Sequence, residues 1–197
     1  MEILIFFIAH WYVSLFCQTF FYHRYAAHKM FSMSSFWEKV FYLLSYISQG
    51  SSYLSPRAYG ILHRMHHANP DTVKDPHSPK YDKNIWKMMW KTKKIYNSIY
   101  YNKLDFDKNL EKGVPDWKAM DKIGAFWLSR IVFGTIYTIF YCFFANEWWM
   151  FLLLPIQFVM SPFHLAQAVL PGMKKRGHGR IINITSEVFH CSVPEFS

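Results

Sequence analysis

Thiols are scarce in this chain. Cys17, Cys142 and Cys191 are its three cysteines. They stand far apart and form no CxxC pair, which excludes a disulfide framework and a thiolate zinc site. Cys17 and Cys142 lie in apolar stretches and read as small buried hydrophobes. A zincin HExxH is absent, and so is a glycine-rich TGxxxGxG turn, so nothing marks a zinc protease or a dinucleotide cradle. Acidic residues are also few. Against 22 Lys and Arg there are 13 Asp and Glu, a formal net charge of +9.

Apolar residues, in contrast, are abundant. They make up 52% of the 197 residues, and aromatics 20%, yet the mean hydropathy is only -0.02. Long apolar stretches must therefore alternate with a strongly polar loop. The stretches are 3–22, 35–54, 124–145 and 147–170. A bilayer span needs about 20 mostly apolar residues, which the first, third and fourth supply. The first is too long for a removable signal peptide and lacks its small-residue cleavage site. Lys and Arg concentrate between Arg57 and Lys122. With spans present, that bias indicates a cytoplasmic loop and not a nucleic-acid surface. Within it, Trp86, Trp90, Ile95 and Tyr96 interleave with Lys87, Lys91, Lys93 and Lys94, a pattern suited to a helix in the lipid headgroup region.

The histidines cluster. "HRYAAH" holds His23 and His28, and "HRMHH" holds His63, His66 and His67. In a helix His63 shares a face with both His66 and His67. His66 and His67 diverge by about 100°, which suits two neighbouring ions. His23 and His28 are five apart, about 140° around an ideal α-helix, so they too point at different ions unless the helix end unwinds. An all-imidazole set selects iron, zinc or copper over magnesium or calcium. Neutral rings ligate, so binding weakens as pH falls. For both clusters to form one site they must share one side of the membrane. The stretch 35–54 carries Glu38, Lys39 and the run Ser48 to Ser52, and is therefore read as an interfacial amphipathic helix or a dip that returns to its own side. The first segment then crosses inward to His23, 124–145 crosses out and 147–170 returns. Both clusters lie in the cytoplasm. His10, 13 residues before His23 and about 20 Å away, is expected to hydrogen-bond within the bundle or reach the far interface.

"HRYAAHKMF" and "QGSSYLSPRAYGILHRMHHANPDTVKDPHSP" with the basic loop that follows resemble the membrane-bound fatty acid desaturases of acyl-CoA type, over about residues 3–164. The resemblance implies a di-iron centre held by three histidine boxes, which uses O2 and two electrons to remove two hydrogens from adjacent methylenes. Carried over, the implied ligands are His23, His28, His63, His66 and His67, with Asp75 and His77 as hydrogen-bonding support beside them. No catalytic residue beyond these ligands and no organic-cofactor site is assigned. The implied partners are a long-chain acyl substrate (acyl-CoA or acyl lipid), O2, the bilayer and an electron donor of cytochrome b5 or ferredoxin type.

The family's third box is missing from the sequence. From about Pro162 the chain instead resembles the short-chain dehydrogenases, with a helix like "HLAQAVLPGMKKRG", a strand like "GRIINITS" and Ser186 at the catalytic serine. The expectation is an all-α membrane protein: transmembrane helices, interfacial amphipathic helices and a short C-terminal helix–turn–strand. Residues 1–164 form the desaturase-like domain and 165–197 a fragment that is no independent domain. His164 is read as a span-end histidine. The di-iron ligand set is incomplete, so weak iron binding and no desaturation are expected. Two alternatives stand beside this: a non-catalytic membrane remnant that binds metal or lipid, and a related di-iron hydroxylase.

Overall fold

The computed structural model describes residues 1–70, 72–76, 78 and 84–159. The expected C-terminal helix–turn–strand, the boundary at 164–165, His164 and Ser186 lie outside the described residues, as does His77. Among the described residues every regular element is helical. The first helix runs without a break from Glu2 to Ala27. Its part Glu2–Cys17 (α1) is α-helical, and Gln18–Ala27 continues it as a π-helix. Then come α2 (Ser35–Gln49), α3 (Pro56–Ala68), α4 (Ile85–Tyr100), α5 (Lys118–Ala125), α6 (Trp127–Phe144) and α7 (Leu153–Val159).

Glu2–Ala27 and Trp127–Phe144 are long and apolar enough to cross a membrane by length and composition. Their outward faces are greasy: Ile5, Ile8, Tyr12 and Phe16 on the first, Val132, Ile136, Ile139 and Phe143 on α6. An apolar surface of this extent needs a cover other than water. The fourth stretch is described only to Val159, as a 3-10 turn Trp148–Leu152 leading into α7.

Residues 35–54 form no helix of spanning length. α2 has 15 residues, about 22 Å of helix, against about 30 Å of hydrocarbon. It runs back along the first helix. Near one end Tyr25 Oη donates to Glu38 at 2.5 Å; next, Phe41 packs on Phe20 and Phe21; at the other end Gln49 Nε2 donates to Ser14 O at 3.2 Å. The chain then reverses at Gly50, whose φ of 51° is a left-handed value that a Cβ disfavours. A Cβ there would also strike the Tyr137 hydroxyl. α3 leads back to the end it left, and Gly60 lets it close on the Ala26 carbonyl. The segment is a hairpin dip.

Several buried polar groups of the bundle pair with one another, which offsets the cost of withdrawing them from water. At the tip of the dip, Ser51 Oγ and Ser52 Oγ donate to Phe158 O at 2.6 and 3.2 Å. Gln18 Nε2 donates to Gln49 Oε1 at 3.1 Å. His10 is part of this seam: Gln157 Nε2 lies 3.2 Å from its Nδ1 and the Tyr137 hydroxyl 3.4 Å from its Nε2. The amide nitrogen can only donate, so Nδ1 accepts. His10 thus hydrogen-bonds within the bundle, the first of its two expected roles.

Outside the two candidate spans, α4 and α5 are pinned to the start of α3. Buried Asp121 accepts from Tyr53 Oη at 2.7 Å and Ser55 Oγ at 2.5 Å. Burial holds its carboxyl above the usual carboxylate range, offset in part by those two donors. α4 divides the aromatics that the sequence pattern grouped together. Trp86 and Trp90 are exposed, with Lys93 Nζ 5.1 Å over the Trp90 ring. Ile95 and Tyr96 instead pack against α3, because Tyr96 Oη accepts the Ser55 amide at 2.7 Å.

Candidate metal centre

His23 and His28 come from the π-helical end of the first helix. An α-helix would splay them. A π-helix closes i→i+5 hydrogen bonds and takes roughly 4.4 residues per turn, so residues five apart return to nearly the same face. The His28 amide donates to His23 O at 3.0 Å, and the two ring centroids lie 4.4 Å apart. The expected divergence of these two side chains is therefore not what forms. The helix end does not unwind either; it winds more widely.

His63, His66 and His67 come from the last two turns of α3. Ser55 caps the helix by accepting from the Ala58 amide, and Pro56 occupies its first turn, where no N–H is missed. The returning dip brings His63 to the first pair. Its ring centroid lies 4.5 Å from that of His23 and 5.0 Å from that of His28. His67 lies 4.9 Å from His28 and 4.6 Å from His63. His66 is at the margin, 5.5 Å from His67 and 6.5 Å from His63. All five expected residues converge.

The nitrogens meet more closely than the rings. His63 Nε2 is 3.1 Å from His28 Nε2 and 3.0 Å from His67 Nε2. Ligand atoms of His23, His28 and His63 all fall within 4.8 Å of one another. At a metal–nitrogen length of about 2.1 Å, two nitrogens at right angles on one ion are about 3.0 Å apart. The spacing fits ligation. Hydrogen bonding alone fits less well, since one His63 nitrogen would have to serve two other ring nitrogens at once with a single proton or lone pair.

His66 faces a carboxylate on its other side. Its Nδ1 lies 2.9 Å from both Oδ1 and Oδ2 of Asp75, which is fully buried. An ionised carboxylate only accepts, so Nδ1 carries a proton, and the neutral tautomer with that proton has its lone pair on Nε2. That arrangement is the usual orienting partner of a ligating histidine. His67, open to solvent at one edge, is held below the usual imidazole pKa, chiefly by burial and then by the His66 and His23 rings. A ring held neutral is a ring able to ligate.

One residue that the sequence pattern does not single out lies inside the second cluster. Arg64, between His63 and His66, donates Nε to Ala27 O at 2.6 Å and Nη2 to Ala26 O at 2.9 Å. Its Nη1 reaches Leu110 O and Lys112 O at 2.8 and 3.0 Å. In the sequence it is only the second letter of "HRMHH", with nothing to indicate backbone partners dozens of residues away.

Among the described residues, five imidazoles cluster at the end of an apolar, all-helical bundle, and His23, His28 and His63 form a candidate metal site. The fatty acid desaturase family model matches residues 2–171, which is most of the chain. The chain belongs to the fatty acid desaturase family. No curated protein and no solved structure matches it.

Proposed function

We propose that this chain is an integral-membrane desaturase unit whose five clustered histidines bind iron for O2-dependent introduction of a double bond into a long acyl chain. The observation that carries the reading is the approach of the His28 and His67 Nε2 atoms to 3.1 and 3.0 Å from His63 Nε2 in a chain of this family. His23, His28, His63, His66 and His67 would hold two iron ions. Bound iron would supply the one-electron chemistry with O2 that an unactivated methylene, having no acidic proton, requires.

The residues around the cluster do the rest. Asp75 keeps the His66 proton on Nδ1 and aims Nε2 at the cluster. Burial and the neighbouring His66 and His23 rings favour the neutral form of His67. Because the dip begins and ends beside Tyr25 and Ala26, both histidine segments share one side of the bundle, and the basic loop between Arg57 and Lys122 puts that side in the cytoplasm. The apolar faces of the first helix and α6 contact lipid, and the acyl chain reaches the cluster from that apolar side as acyl-CoA or acyl lipid. An electron donor of cytochrome b5 or ferredoxin type docks from the cytoplasm.

Five imidazoles fall short of what two ions with five- or six-fold coordination take up. The ligand set formed by the described residues is therefore incomplete, and iron is held weakly by them alone. The test is iron per chain in detergent-solubilised protein, followed by product analysis of lipids from expressing cells. Weakly bound iron that depends on His63, without a new double bond, supports the reading of a desaturase unit with an incomplete ligand set; a double bond that depends on His63 would show instead that the set suffices. Zinc in place of iron refutes it in favour of a metal-binding remnant, and an alcohol product refutes it in favour of a hydroxylase.

A further inference from the structure

We infer that Arg64 is a positioning residue that locks the end of the first helix in its π-helical register, and so sets the spacing between the two histidine segments. The inference rests on the reading of the five histidines as ligands, but its first test does not.

The last carbonyls of any helix lack partners within the helix. A π-helix leaves one more open than an α-helix, because its bonds reach one residue further. At this end the amides of His28, Lys29 and Met30 fold back to His23 O, Tyr25 O and Arg24 O. Ala26 O and Ala27 O take the two prongs of the Arg64 guanidinium. A rigid planar fork suits two adjacent carbonyls in a way that a lysine ammonium does not. Since Arg64 sits one residue after His63 on α3, the same side chain that satisfies the box-one carbonyls fixes where box two stands. Its remaining prong ties the Lys108–Glu111 turn and Lys112 over the junction. Rewinding Gln18–Ala27 as α-helix would turn His28 by roughly 90° relative to His23 and take its Nε2 away from His63.

Arg57 supplies the control. It is also on α3 and also holds the covering segment, through Glu111 and Asn102, but it does not touch the first helix end. Wild type, Arg64→Met, Arg64→Lys and Arg57→Met are compared in detergent without added metal by hydrogen exchange. They are then titrated anaerobically with Fe2+ and with Co2+, whose visible spectrum reports ligand geometry. Arg64→Met is expected to speed exchange at residues 28–30 while α6 stays protected, to weaken Co2+ and Fe2+ binding by about 10–100-fold and to alter the Co2+ spectrum. Arg57→Met is expected to leave all three unchanged. Wild-type exchange at residues 28–30 in Arg64→Met overturns the inference, and so does an equal loss in Arg57→Met. Should Arg64→Met fail to fold, Arg64→Lys decides: partial loss confined to residues 28–30 supports the lock, and wild-type behaviour overturns it. If the wild type binds neither ion, the ligand reading fails, while exchange at residues 28–30 still decides whether Arg64 locks the helix end.

Discussion

His28 Nε2 lies 3.1 Å from His63 Nε2 across 35 residues of chain. The contact exists because a π-helical turn, a hairpin dip and a returning α-helix all end at one place. Replacing His63 by Ala should remove the nitrogen that both His28 and His67 approach. We expect iron content, measured by elemental analysis of purified protein, to fall by at least about tenfold. His10→Gln, in the bundle seam far from the cluster, should leave it unchanged.

Asp75→Asn should weaken metal binding without abolishing it. The amide can still meet His66 Nδ1, but without charge it no longer fixes the proton there. Loss of such an outer partner costs about 10–100-fold in affinity. A competition titration against a chelator of known affinity checks this, and an unchanged constant would mean that the Asp75 contact serves only packing.

Gly50→Ala should destabilise the fold by about 1–3 kcal/mol, since the residue adopts a left-handed φ that costs a side chain of this kind energy. Part of the loss comes from the Tyr137 hydroxyl that the new methyl would strike. Tyr137→Phe removes that hydroxyl, so the double variant should be more stable than the sum of the single effects. Thermal melts of the four proteins in one detergent form the cycle.

Asp121 gives a pH signature. Its carboxyl is raised by burial, so the folded state binds the proton more tightly than the unfolded chain does. The stabilisation from proton uptake is fully present below the usual carboxylate value of 3.8 and is lost as pH rises through the raised one. Measured by melting against pH, wild type should gain on Asp121→Asn as the solution is acidified through that window. Tyr53→Phe deletes a donor to Oδ1 and should cost about 1–3 kcal/mol at neutral pH, where the acceptor is left unmet.

The two histidine clusters were legible because imidazoles so placed answer no packing demand. The dip was legible as one of two options, since Glu38, Lys39 and the polar run Ser48 to Ser52 do not suit a helix that crosses facing lipid. The wide winding at Gln18–Ala27 was not. Nothing in "QTFFYHRYAA" departs from α-helical composition, and the register is held by Arg64 from a segment 37 residues on. The divided face of α4 was hidden for a similar reason: an alternation of aromatics and lysines does not say which aromatic has a partner, and Tyr96 finds one in the Ser55 amide. His10 could be placed away from the cluster by length alone, but its partners Gln157 and Tyr137 belong to helices that arrive much later in the chain.

That late arrival has a consequence for how the protein is made. Ser51 and Ser52 donate to Phe158, and Gly50 nests against Tyr137, so the tip of the hairpin has nowhere to settle until more than a hundred further residues have left the ribosome. The histidine segments are synthesised early and pack on each other directly, but the tip of the hairpin that links them has its seat only once α6 and α7 are made. A chain halted before α6 would carry both clusters on a hairpin whose tip has no seat.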